Sequence, residues 1–194
     1  MKKIRVILTC VFISGVSAGA AKDGDEKQDY RLSTALTAGF VFKHDDCIFK
    51  QVYGRGIVNV ITADNCYYFW KPLGVGAKIS YWRAHGCTTF LRQCSFLQEI
   101  PLTFYLRALA DLDCGLQLYA SLGGGVIWIR EKSYLGCVRL HKGIGEVEAG
   151  LHYPLAGCFN VTGAFRYLFP RQTLCGQKTD VGGFDVRAGI AFVY

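Results

Sequence analysis

From Arg31 to the end of the chain, apolar and polar residues alternate with a period of two, and no stretch carries apolar positions at helical spacing. Such alternation puts each set on one face of a pleated strand. It predicts eight strands, at about 31–42, 57–69, 74–84, 96–108, 115–130, 143–153, 159–169 and 181–194. In the last, Phe184, Val186, Ala188, Ile190, Phe192 and Tyr194 share one parity, while Gly183, Asp185, Arg187, Gly189 and Ala191 share the other. The seventh sets Phe159, Val161, Phe165, Tyr167 and Phe169 against Asn160, Thr162, Ala164 and Arg166. The sixth sets Val147, Ala149, Leu151 and Tyr153 against Glu146, Glu148, Gly150 and His152, and the fourth sets Ile100, Leu102, Phe104 and Leu106 against Glu99, Thr103, Tyr105 and Arg107. The first and fifth follow the same rule, and the second divides least cleanly.

Connections alternate in length. Brief turns at 70–73, 109–114 and 154–158 follow the second, fourth and sixth strands, and stretches of roughly ten or more residues follow the others. An even-stranded antiparallel meander collects its short turns at one end and its long loops at the other. The predicted fold is therefore all-β, an eight-stranded antiparallel up-and-down transmembrane β-barrel.

Period alone leaves open which parity faces out, since a soluble lipocalin-like carrier alternates with its apolar set inside. Three features choose the outward reading. Lys78 is the one lysine placed in a strand, and the polar parity is otherwise rich in Gly, Ala, Ser and Thr, which suit a crowded interior. Tyr153, Phe159, Phe169 and Tyr194 fall toward strand ends, where aromatic girdles meet bilayer interfaces. The polar parity carries Asp64, Glu99, Glu146, Glu148 and Asp185 against Lys78, Arg107, Arg166 and Arg187, five acids and four bases, the near-balance a closed interior requires. With His152 these residues form the expected interior charge network. An eight-stranded barrel is just wide enough for its side chains to fill, so no wide pore is expected.

Composition agrees. The chain has 194 residues, 51% of them hydrophobic and only 19% charged, which excludes a disordered polymer and leaves room for one domain. Lys2, Lys3 and Arg5, the apolar run from Val6 to Val16 and Ala18-Gly19-Ala20 read as a secretory signal cleaved after residue 20. Residues 21–30 read as a short polar lead-in and 31–194 as the barrel. Removing the signal leaves 19 basic against 15 acidic residues, a net charge of +4.

Cleavage also reduces nine cysteines to eight: Cys66, inside the second strand, and Cys47, Cys87, Cys94, Cys114, Cys137, Cys158 and Cys175, the candidates for disulfides. Cys87 with Cys94 would staple one loop, and Cys114 with Cys158 would bridge neighbouring turns. No CxxC pair suggests a metal, and no cofactor motif is present.

These features together resemble the small eight-stranded outer-membrane barrels of Gram-negative bacteria, of the opacity-protein and OmpA-like transmembrane-domain type. The alternating end, Val186, Ala188, Ile190, Phe192 and Tyr194, looks like the signal that barrel-assembly machinery reads, although members of the family commonly end in Phe. The cysteines are a departure, similar to the cysteine-rich envelope proteins of intracellular bacteria. The resemblance implies an outer-membrane location, lipid and lipopolysaccharide as surroundings, and long loops facing outward.

Those loops and rims hold eleven bases against four acids, with Arg83, Arg92, Arg130, Lys132, Arg139, Lys142 and Arg171 forming a basic outer rim. Such a rim attracts lipopolysaccharide phosphates or sulfated host glycans. The reading is a non-enzymatic structural and surface protein, serving envelope integrity with disulfide cross-links, or adhesion. The alternatives are a lipid A-modifying enzyme, with His44 beside Asp45 or His141 near Ser133 as its candidates, and the soluble carrier. Nothing points to nucleic acid.

Overall fold

A computed structural model describes residues 32–43, 53, 56–70, 72–87, 94–112, 115–133, 136–170 and 182–193. Its strands are β1 (Leu32–Lys43), β2 (Ile57–Trp70), β3 (Leu73–Cys87), β4 (Cys94–Asp111), β5 (Gln117–Ser133), β6 (Gly136–Ala156), β7 (Phe159–Pro170) and β8 (Gly183–Val193). Each pairs antiparallel with its sequence neighbours, and β8 returns to β1, closing the barrel in the order β1 to β8. Closure leaves no free edge strand at the seam, where Ser33 to Lys43 face Val193 to Gly183 in register.

Several strands reach further than the alternation predicts, above all β6, which spans Gly136–Ala156 and stays paired with β5 as far as Ser133 opposite Gly136. Two connections expected to be long are therefore short: β5 ends at Ser133 and β6 begins at Gly136, and β3–β4 remains paired to Cys87 opposite Cys94. The reason is that a strand rising beyond the apolar band has no need to alternate, so the charged residues at 131, 132, 139 and 142 give no strand signal. Lys43, Lys132 and Lys142 also lie in strands, so Lys78 is not alone there. At the opposite end Gly115 and Gly157 take positive φ in the two turns that close β4–β5 and β6–β7.

The outer wall is apolar. Leu36, Phe40, Ile61, Phe104, Leu106, Leu122, Val147, Phe165, Val186 and Ile190 all expose large side chains. A contiguous patch of this extent far exceeds what a soluble monomer shows and requires a lipid surround. The inverted burial demanded by a soluble carrier is absent from the described strands. Val186, Ala188, Ile190 and Phe192 lie on this outward face of β8, with the Phe192 ring 4.7 Å from that of Phe159 on β7; Tyr194 lies outside the described residues.

Candidate functional site

The lumen is a stack of layers. At mid-height Glu148 on β6 is the hub. Lys78 Nζ on β3 donates to Glu148 Oε2 at 2.6 Å and to Glu146 Oε1 at 3.0 Å, Arg107 on β4 lies 3.4 Å from Glu148 Oε1, and Arg187 on β8 donates to Glu148 Oε2. Arg107 also holds Asp64 at 2.6 Å. Arg166 on β7 meets Asp185 through Nε at 2.8 Å and Ser80 through Nη1 at 3.0 Å, and Arg187 Nε lies 2.7 Å from Asp185 Oδ1. All these ions are buried. Several acceptors and donors per charge are what allow ions to persist without bulk water.

Two tyrosines that the sequence did not single out as partners complete this layer. Tyr105 donates to Asp64, and Tyr119 donates to Glu148 Oε1 at 3.2 Å. Their rings occupy the space that a Cβ on Gly76 or Gly150 would take, so glycine on the adjacent strand is what lets each ring lie against the wall. Arg107 sits 4.7 Å and 4.2 Å from the centres of these two rings.

Nearer the long-loop end the interior turns apolar: Val41, Val58, Val60, Trp82, Ala84, Leu97, Ile127, Ile129, Ile144 and Leu168 pack into one cluster. The polar parity expected inside holds ions, small residues, Tyr105, Asn160 and His152, and does not include this apolar layer. A signal exists in β5, where Ile127, Trp128 and Ile129 run without alternation, as a segment apolar on both faces must. Glu99 lies beside this cluster, bonded to Lys43 at 3.0 Å, and Lys43 in turn stands 3.9 Å over the Trp82 ring. Lys43 is thus an interior base beyond the four expected from parity. Tyr53 packs against the cluster and donates to Glu131 at 3.1 Å, and burial beside that carboxylate raises its phenol well above the usual range.

Two sequence assignments change. Lys142, expected on the outer rim, points into the lumen and is 4% exposed, because its parity on β6 is that of Glu146 and Glu148. His152 is buried and stacks on Tyr119 at 4.7 Å, and among the described residues neither ring nitrogen meets a hydrogen-bond partner. Position alone suggested a network member, whereas its level near the short turns leaves it below the ions.

The rest of the basic rim is an ordered patch on the outer wall. The ladders align Arg83 with Gln98, Gln98 with Arg130, and Arg130 with Arg139, a single row across β3 to β6. One step higher come His85, Phe96, Lys132 and Cys137, and two residues below Arg130 and Arg139 the pair Trp128 and His141 face each other edge-on at 6.4 Å. Arg92 and Arg171 lie outside the described residues.

Cys87 and Cys94 form a disulfide across the β3–β4 ladder. Cys137 and Cys158 are exposed thiols and Cys66 is buried in the lumen, so Cys158 is not bridged to Cys114. Cys47, Cys114 and Cys175 lie outside the described residues. At the hairpin tip a hydrogen bond from Arg130, reinforced by Arg139, lowers the Cys137 thiol below its ordinary range. Of the enzyme candidates, His141 faces outward opposite Trp128 while Ser133 sits at the far end of the hairpin opposite Gly136, so this histidine does not meet this hydroxyl. His44 and Asp45 lie outside the described residues.

A closed eight-stranded meander with a filled lumen and an apolar wall is the fold of the small outer-membrane β-barrels. Among solved structures, the chain is similar to Neisserial surface protein A, with a TM-score of 0.61 and 10% identity, over 84% of this chain and 96% of that one. It is similar to OprG of Pseudomonas aeruginosa, with a TM-score of 0.60 and 12% identity, over 85% of this chain and 96% of that one. It is also similar to Ail of Yersinia pestis, solved with the heparin analogue sucrose octasulfate, at a TM-score of 0.50 and 16% identity, over 84% and 99% of the two chains. At these identities the likeness concerns the fold alone. No family model matches the chain, and no curated protein matches it.

Proposed function

We propose that the chain is a non-enzymatic surface protein of the outer membrane, which braces the envelope as a plugged barrel and contacts phosphorylated or sulfated glycans through the outer wall of β3 to β6. The observation that carries this reading is the row of Arg83, Arg130 and Arg139 with Lys132 above it. Like charges directly opposite one another, as Arg130 and Arg139 are, destabilise a ladder unless an anion lies between them. Guanidinium groups suit that task because they grip sulfate and phosphate with two parallel bonds. The patch stands just above Trp128 and His141, the level at which an aromatic girdle marks the bilayer interface, so its partner is a headgroup or a glycan close to the membrane. Ail with its bound heparin analogue is an instance of polyanion contact on a barrel of this shape.

The test is salt elution from immobilised heparin, and from lipopolysaccharide, of the refolded protein in detergent. Replacing Arg130, Lys132 and Arg139 together by Gln is expected to lower the eluting salt markedly, whereas Lys142→Gln, inside the lumen, is expected to leave elution unchanged. Retention that ignores the triple change would contradict the proposal.

A further inference from the structure

The barrel wall is not continuous at its outer end. β2 and β3 pair from Trp70 opposite Leu73 up to Val60 opposite Trp82, and there their ladder stops. β3 nevertheless continues, paired to β4, as far as Cys87, and β2 begins at Ile57, paired to β1. Residues 57–59 and 83–85 therefore flank a gap instead of bonding to each other. A cleft of about 430 Å³ occupies it, a size typical of small-molecule sites, which span about 300–1,000 Å³.

Its lining changes with depth. On the inner side are Val58, Trp82 and Ala84, all members of the apolar lumen cluster. On the outer wall Ile61 and Tyr81 lie below, on the lipid-facing surface, and Arg83 and His85 lie above, on exposed positions. The cleft is thus apolar at its foot and basic at its lip, the two ends that a lipid presents.

We propose that the β2–β3 cleft binds an anionic phospholipid, one acyl chain lying between Ile61, Tyr81 and Trp82 and its phosphate held by Arg83. Charge complementarity selects an anionic headgroup over a neutral one: the cleft presents Arg83 and no carboxylate among its lining residues. The chain would extend the apolar layer of the lumen outward and cover the broken ladder. This site adjoins the glycan patch and shares Arg83 with it, but its test reads Trp82 and leaves Arg130, Lys132 and Arg139 in place.

Trp82 is 1% exposed and stands inside the barrel, so a quencher confined to bulk lipid does not reach it unless a chain enters the gap. The protein carries three tryptophans, and Trp70→Phe with Trp128→Phe leaves Trp82 as the sole fluorophore. This variant, refolded in zwitterionic detergent, is titrated with dibrominated phosphatidylglycerol and with dibrominated phosphatidylcholine. The expected result is saturable quenching by the anionic lipid, several-fold weaker binding of the zwitterionic one, and several-fold weaker binding on Arg83→Gln. Filling the cleft with Ala84→Phe should abolish the effect. Should that buried change prevent folding, as shown by loss of the heat-dependent gel shift, Asn59→Phe on the outer lip serves the same purpose. Absent quenching would overturn the proposal, and so would equal quenching by both lipids unaffected by Arg83→Gln. A dimer in detergent with Trp82 unquenched would assign the cleft to a second copy of the chain and likewise overturn it.

Discussion

Glu148 shows how much one residue can carry in a sealed interior. It accepts from Lys78, Arg107, Arg187 and Tyr119, so Glu148→Gln removes a carboxylate from three cations at once and leaves Lys78 with Glu146, Arg107 with Asp64 and Arg187 with Asp185. Removing one partner of a buried ion pair costs about 3–5 kcal/mol, and urea unfolding in detergent should show a loss of at least that order. A change below about 1 kcal/mol would mean the network is bathed in water. The ions themselves were readable from parity, since a charge on the face opposite Phe and Val in a strand has nowhere else to go. Their pairing across the lumen was not: Lys78 and Glu146 are 68 residues apart and on strands that do not adjoin. Lys43 escaped notice because it sits at a strand end, where sequence cannot tell a rim from a lumen. Cys137 gives a second test at this scale. Because its thiol is shifted down by Arg130, its peptide-resolved alkylation should rise with pH at a lower midpoint than that of an ordinary thiol, and Arg130→Gln should move the midpoint upward. An unchanged midpoint would remove Arg130 as the cause.

At the level of elements, the β3–β4 and β5–β6 hairpins project beyond the apolar band and are the parts least dependent on lipid. The Cys87–Cys94 bridge closes a short loop at the top of the first. Chain-entropy reasoning for so small a loop gives roughly 2 kcal/mol, so the double change of Cys87 and Cys94 to Ser should lower unfolding stability by about that amount while leaving the barrel intact. Loss of folding altogether would show that the bridge guides assembly. The order of strands and the location of short turns were legible because Gly115 and Gly157 and their neighbours punctuate the alternation sharply. The lengths of β5 and β6 were not, since Arg130, Lys132 and Arg139 look like loop residues in a linear reading yet stand in register on one face. Interruption of the β2–β3 ladder at Val60 and Trp82 leaves no mark in either strand's own pattern.

For the molecule as a whole, the two environments are reversed relative to a soluble protein: hydrocarbon outside, ions and an apolar cap inside. Layered filling explains how a narrow barrel holds eleven interior charges, because each acid meets a base and an apolar cluster around Trp82 lies above them. Surface function then falls to what projects outward. The central claim is the direction each parity faces, and spin-label accessibility along β7 in lipid bilayers measures it residue by residue. Labels at positions 159, 161, 165 and 167 are expected to collide strongly with dissolved oxygen, and labels at 160, 162, 164 and 166 to be shielded from oxygen and from a water-soluble nickel reagent alike. Oxygen access peaking on the second set, or no alternation at all, would contradict the account.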